Sequence, residues 1–357
     1  MDYAYHRLAR SAPKYSWWKA LVTGLVFVGY YLALSIVLVL FFVIGSFALP
    51  DVFGDFLAKL TTISLDLTDP TIFAFAIGTI ALMLPALILA RLTMGPRPLG
   101  LVSSVAGRVR WGWLGRCIPL ALAVYGIVFA LSFLVLDPAL GAAPLSPTVT
   151  STTLLLIVLA LLLTPIQATA EEYVFRGYLM QSIGGWLKHP LWAILLPVPL
   201  FAIGHNYDIW GLLDVSIFAI VAGWLTWRTG GLEAAIVAHV VNNTTLFILG
   251  AFGLTDLNAT EGSPVGLLVT AAIMAGYSAL VLLQARRTGL VTRRTVVEEP
   301  GEPVDPVDDA ALPVAAPQYG EFLHRHGVSG GDFGAAQPGA GPVEGPTEWI
   351  APEPPQR

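Results

Sequence analysis

Three short pieces of this sequence place ionisable and amide side chains inside stretches otherwise apolar enough to cross a membrane: Glu171-Glu172-Tyr-Val-Phe-Arg176, Phe201-Ala-Ile-Gly-His205 and His239-Val-Val-Asn-Asn243. An ionisable side chain at the centre of a membrane helix costs at least ~2.5–3.5 kcal/mol on insertion scales, so two adjacent carboxylates there need partners and mark a candidate site. On an α-helix, residues four apart lie ~40° apart around the axis and residues five apart ~140°. Glu172 therefore faces the same side as Arg176, which would hold its carboxylate ionised and occupied. Glu171 faces elsewhere and is the freer carboxylate, suited to taking a proton from water. His239 and Asn243 share one face by the same spacing, and two donors aimed at one point suit an oxyanion or a bound water. His205 follows Phe201 by one turn, behind Pro197 and Pro199, which predict a kinked or broken span. Each piece alone also reads as an interfacial charge pair, an interfacial histidine or an interhelical hydrogen-bond pair.

The elements that must position these groups are membrane helices. The 357 residues are 55% hydrophobic and 12% charged, against about 25% charged in soluble domains, and mean hydropathy is +0.72. Apolar runs near residues 20–49, 70–90, 117–136, 152–180, 190–206, 209–227, 231–252 and 264–285 are of spanning length. The fold class is therefore an all-α polytopic membrane helix bundle of about eight transmembrane helices, occupying residues 20–294 between a segment 1–19 and a tail 295–357. Residues 1–294 hold 17 Lys+Arg and 13 Asp+Glu, whereas 295–357 hold 2 and 11. The tail, rich in Pro, Gly and Ala without apolar periodicity, reads as disordered and acidic. Neither half has the basic footprint of a nucleic-acid binder.

With the N-terminus inside, every basic residue of the membrane part except Lys59 falls on the inner side. The positive-inside rule then places both termini in the cytoplasm of a multi-pass protein of the cytoplasmic membrane. Helix depth puts the carboxylates nearer that side, so a cavity opening toward the cytoplasm is expected. Residues 92–116 read as an amphipathic piece in the cytoplasmic interface, and 137–151 as an outer loop. The lone cysteine, Cys117, reads as a small core residue and excludes a cysteine-based zinc site.

These residues resemble the CPBP (CAAX protease and bacteriocin-processing, Abi) family of intramembrane proteases, whose motifs Glu-Glu-x-x-x-Arg, Phe-x-x-x-His and His-x-x-x-Asn occur here in order within roughly 150–250. The resemblance implies an endopeptidase that hydrolyses a peptide bond of a membrane-associated protein or peptide, immersed in the lipid bilayer. By the same resemblance Glu171 activates water, Glu172 and Arg176 support it, His205 positions the water, and His239 and Asn243 stabilise the transition-state oxygen. Metal-independent and zinc-dependent chemistry are both open. No His-Glu-x-x-His is present, while a Glu171/His205/His239 set would suit zinc with one open position. A non-catalytic scaffold or a bacteriocin self-immunity protein is the alternative the resemblance also covers. A transporter would show an inverted repeat of spans. A serine nucleophile is disfavoured because the one Gly-x-Ser-x-Gly, Gly327 to Gly331, lies in the tail.

Overall fold

A computed structural model describes residues 1–296 except Ser64, Pro96 and residues 142–144. The expected tail lies outside the described residues, apart from Thr295 and Val296. Where no water reaches the backbone, every N–H and C=O must be satisfied within its own segment, and apolar runs of this length become helices. Eight apolar helices follow in chain order: α1 Trp17–Ala48, α2 Pro70–Met94, α3 Trp111–Ala139, α4 Thr153–Trp186, α5 Pro190–Ile203, α6 Ile209–Thr229, α7 Glu233–Ala251 and α8 Pro264–Arg287.

Among the described residues seven of these are long enough to cross a membrane, and the expected fifth span is not. α5 is two short pieces of 6 and 7 residues, Pro190–Leu195 and Pro197–Ile203, meeting at Leu196. Pro197 and Pro199 lack the N–H that a continuous ladder would use. The short helix nonetheless changes sides. It begins just after Lys188, whose carbonyl meets His6 Nε2 at 3.1 Å. It ends before Asp208, whose N–H donates to the Thr260 carbonyl at 2.8 Å.

Two opposite faces result. On one, β1 (Asp2–Ala4) pairs antiparallel with β2 (Arg293–Thr295), so the two ends of the described chain meet. Here Arg110 clamps Glu233 through Nε–Oε1 at 2.9 Å and Nη2–Oε2 at 2.6 Å, and its Nη1 donates to the Thr229 and Val291 carbonyls at 3.0 Å each. One guanidinium thereby fastens the ends of α3, α6, α7 and α8 together. On the other face, the loops carry Asp51, Asp55, Asp66, Asp69, Asp208, Asp256 and Glu261 against a single Lys59. The Asn258 side chain ties this face together by bonding Asp66 at 2.7 Å and Leu67 N–H at 2.9 Å.

The stretch 92–116 departs from the expected interfacial piece. Its Arg- and Trp-bearing end is already the first turn of α3. Leu101, Val102 and Val105 are buried, and Leu101 and Val105 pack with Tyr5 and Leu8 of the N-terminal 3-10 helix Tyr5–Ser11. That helix seats on α4 at Gly184, where a Cβ would lie 1.9 Å from the His6 carbonyl oxygen. The main core joins α3, α6, α7 and α8 through small residues such as Ala121, Ala222, Ala235 and Ala238. Small side chains let helix backbones approach closely where lipid supplies no hydrophobic drive. α1 lies at the rim, with Leu25, Leu32, Ile36 and Phe41 exposed.

Candidate functional site

α4 carries both glutamates at the end of its regular part, immediately before a π-helical turn over Tyr173–Leu179. Wide turns of this kind occur mostly within α-helices at functional positions. The i,i+4 pair forms as expected: Arg176 Nη1 donates to Glu172 Oε1 at 2.9 Å, with both side chains almost wholly buried. Phe201 of α5 stacks beneath the guanidinium, its ring centre 4.3 Å from Cζ. An aromatic face stabilises a desolvated cation at that distance.

His239 of α7 reaches across and engages both glutamates. Its Nδ1 lies 2.8 Å from Glu172 Oε1 and its Nε2 lies 3.3 Å from Glu171 Oε2. A doubly protonated imidazole here, with Arg176, would bring the four charges to zero. The expected role of His239 as a donor beside Asn243 is not the arrangement seen, because each ring nitrogen already faces a carboxylate. The two glutamates differ as the helical angles predict. The Glu172 side chain is completely covered, while that of Glu171 keeps 10% of its surface exposed.

Gln167, one turn before Glu171, was not legible as a site residue. Its Nε2 donates to Glu171 Oε2 at 2.8 Å and its Oε1 accepts from Asn243 Nδ2 at 3.4 Å. One buried amide thus ties the freer glutamate to the asparagine of α7. The available signal was the same four-residue spacing, applied on the N-terminal side of Glu171. Asn242 donates to Asn243 Oδ1 at 3.0 Å.

His205 sits just beyond α5, half-buried, with Nδ1 2.9 Å from the Phe201 carbonyl. A carbonyl only accepts, so Nδ1 carries the proton and Nε2 holds the lone pair in the neutral ring. The His205 ring centre lies 4.9 Å from that of Phe201, which in turn lies 6.2 Å from that of His239. Phe201 therefore touches both histidines. The Glu171/His205/His239 set, named as the ligands if the chemistry were zinc-dependent, does not group as a metal site. Among the described residues no three His, Cys, Asp or Glu side chains group as a metal site. With Nδ1 on Glu172, Nε2 is the His239 nitrogen that could serve as a ligand, and it faces Glu171.

His205, His239 and Asn243 line one cavity of about 570 Å³, within the ~300–1,000 Å³ of typical ligand pockets. Its walls come from the second half of α3 at Tyr125, the first half of α6 at Asp214, the second half of α7 at Leu246 and the first half of α8 at Thr270, with the loop Thr255–Ser263 at its rim. All of these lie toward the acidic face. The expected opening toward the face of the chain ends is thus corrected. On that side the glutamates are backed by the rest of α4, which runs on to Trp186 rather than ending near Met180, and by the N-terminal 3-10 helix.

A curated relative, "Uncharacterized protein YyaK" of Bacillus subtilis (strain 168), is 34% identical over 114 residues; the match spans 30% of this chain and 37% of that protein's length. No solved structure matches the chain. Residues 150–245, which contain Glu171, Glu172, Arg176, His205, His239 and Asn243, match the model of the type II CAAX prenyl endopeptidase Rce1-like family, and this segment of the membrane bundle is an Rce1-like family domain.

Proposed function

We propose that the protein is an intramembrane endopeptidase in which Glu171 activates water. The observation that carries this reading is the asymmetry of the two carboxylates: only Glu171 retains exposed surface, and its partner His239 forms part of the cavity wall. Glu172, held by Arg176 and by His239 Nδ1, is the fixed charge that orients the imidazole. With the shared proton on His239 Nε2, Glu171 is a carboxylate base. It takes a proton from water as the oxygen attacks the substrate carbonyl carbon, and the carbonyl oxygen becomes an oxyanion. The amide N–H of Asn243, held in place through Gln167, is suited to donate to that oxyanion. Collapse breaks the C–N bond, the proton from Glu171 passes to the leaving nitrogen, and the products are a carboxylate and an amine. His205 Nε2, an acceptor in the neutral ring, is suited to hold the attacking water.

The substrate is a membrane-associated protein or peptide. The basic face with both chain ends is assigned to the cytoplasm on the positive-inside rule. The test compares membrane peptidomes of cells carrying the wild-type protein and Glu171→Gln, together with hydrolysis by the purified proteins. Loss of specific cleavage products with an unchanged folded yield is the expected outcome. Retained turnover by purified Glu171→Gln would remove the assignment and favour a non-catalytic scaffold.

A further inference from the structure

The cavity beside the glutamates has a direction and a sign of charge that the hydrolytic reading does not require. Among its described lining residues the ionisable groups are His205, Asp214, His239, Asp256 and Glu261, with Tyr125 and Tyr207, and no Lys or Arg. Asp208, at the same mouth, is already used: its carboxylate accepts from the N–H groups of Gly211 at 2.9 Å and Gly262 at 2.8 Å. It fastens the loop after α5 to the loop before α8. Asp214 is different. It stands five residues into α6, half-buried; its carboxyl meets the neutral Thr270 side chain of α8, and its Oδ1 is buried without a hydrogen-bond partner. An acid inside a span, with no counter-ion across a 570 Å³ void, is a costly feature unless something cationic enters.

The geometry points to this cavity as the substrate channel, entered from the face opposite the chain ends, with a selectivity for polypeptide segments that carry Lys or Arg close to the bond presented to Glu171. Low-dielectric walls lined by one sign of charge focus the field and raise the local concentration of the opposite charge by ~10-fold or more. Asp256 and Glu261 on the rim loop meet an incoming segment first. Asp214, deeper along α6, takes the side chain that travels furthest. The assignment of substrate rests on the endopeptidase reading, whereas the route and charge of the cavity do not.

Two measurements separate them. Cys117 is the only cysteine and is buried, so a Cys117→Ala background accepts single cysteines at the cavity wall, Leu267→Cys and Leu246→Cys. The probes are a trimethylammonium-bearing and a sulfonate-bearing methanethiosulfonate, neither of which crosses membranes, applied to sealed vesicles of both orientations. Labelling is expected only from the side opposite an N-terminal tag. The cation-to-anion rate ratio should exceed that of a free thiol by ~10-fold or more. It should fall toward the free-thiol ratio in Asp214→Asn and in Asp256→Asn/Glu261→Gln. Labelling from the side of the tag, or a ratio equal to that of a free thiol in the wild-type background, overturns the proposal. The second measurement uses quenched fluorescent peptides flanked by Lys/Arg or by Asp/Glu. Preferential hydrolysis of the basic set by the wild type, absent in Glu171→Gln, supports the substrate class, and equal hydrolysis of both sets overturns it. Hydrolysis of neither set, with the labelling as expected, overturns the endopeptidase reading and the substrate class together but leaves the route standing.

Discussion

Replacing Arg176 by Met tests whether the buried pair at the centre of the site is held by compensation of charge. Arg176 is 3% exposed and Glu172 0%, and the two meet through one contact of 2.9 Å while Arg176 Nη2 and Glu172 Oε2 remain buried without partners. Methionine keeps much of the volume and leaves a thioether over the Phe201 ring. The loss is therefore chiefly the charge, and Glu172 is stranded with His239 as its remaining partner. Breaking a buried pair from one side costs ~3–5 kcal/mol, equivalent to a fall of roughly 6–20 °C in Tm. Arg176→Met/Glu172→Gln removes both charges and keeps an oxygen for His239 Nδ1, so it should be more stable than Arg176→Met alone by at least ~2 kcal/mol. Thermal unfolding of purified Arg176→Met, Glu172→Gln and the double variant in one detergent, followed by intrinsic fluorescence, supplies the three values against wild type. A Tm for Arg176→Met within 1–2 °C of wild type, or a double variant that falls by the sum of the singles, would refute charge compensation as what holds this pair.

Gln167→Ala should lower kcat by roughly 10- to 100-fold with little change in KM, because a hydrogen bond to a charged group is worth ~1.5–3 kcal/mol; an unchanged kcat would show that Glu171 and Asn243 need no link. Gly184→Ala should release the N-terminal 3-10 helix, since its Cβ would meet the His6 carbonyl oxygen at 1.9 Å, and faster proteolysis within residues 1–16 in intact bundles is the readout. Burial pushes the His6 pKa down, with Arg7 and Arg293 adding to this and the Lys188 carbonyl opposing it. A depressed folded pKa means that docking of this helix is fully stabilised above the unfolded value near ~6.5 and weakens as pH falls below it. Hydrogen-exchange protection factors over residues 5–11, corrected for the intrinsic pH dependence of exchange, should therefore fall between pH 7.5 and 5.5, and His6→Gln should flatten that dependence. Arg110→Lys should destabilise the face of the chain ends by ~1–3 kcal/mol, because an ammonium cannot span the two Glu233 oxygens and two carbonyls that the guanidinium reaches.

What was legible in the sequence is what depends on short range. Spanning length, helix spacing and the sorting of Arg and Lys are properties of contiguous residues. They yield the helices, the shared face of Glu172 and Arg176, the greater freedom of Glu171, and the basic face that holds both ends of the described chain. The broken helix was foreshadowed by Pro197 and Pro199, but its failure to make a full span depends on where the chain turns at Gly204. Residues 92–116 were misplaced because an amphipathic pattern cannot distinguish a lipid headgroup layer from a protein surface. Tyr5 and Leu8 supply that surface from a hundred residues away.

The chain by itself determined that Glu172 rather than Glu171 faces Arg176 and that His239 and Asn243 share a helix face, because helical periodicity sets side-chain direction whatever packs against it. Only the tertiary structure decided what those groups face. His239 lies between two glutamates rather than beside Asn243 as a second donor, Gln167 joins two helices, Phe201 touches both histidines, and the cavity runs to the acidic face. Each of these is set by how α4 to α8 pack, and the direction and spacing of one helix against another depend on side chains far apart in sequence.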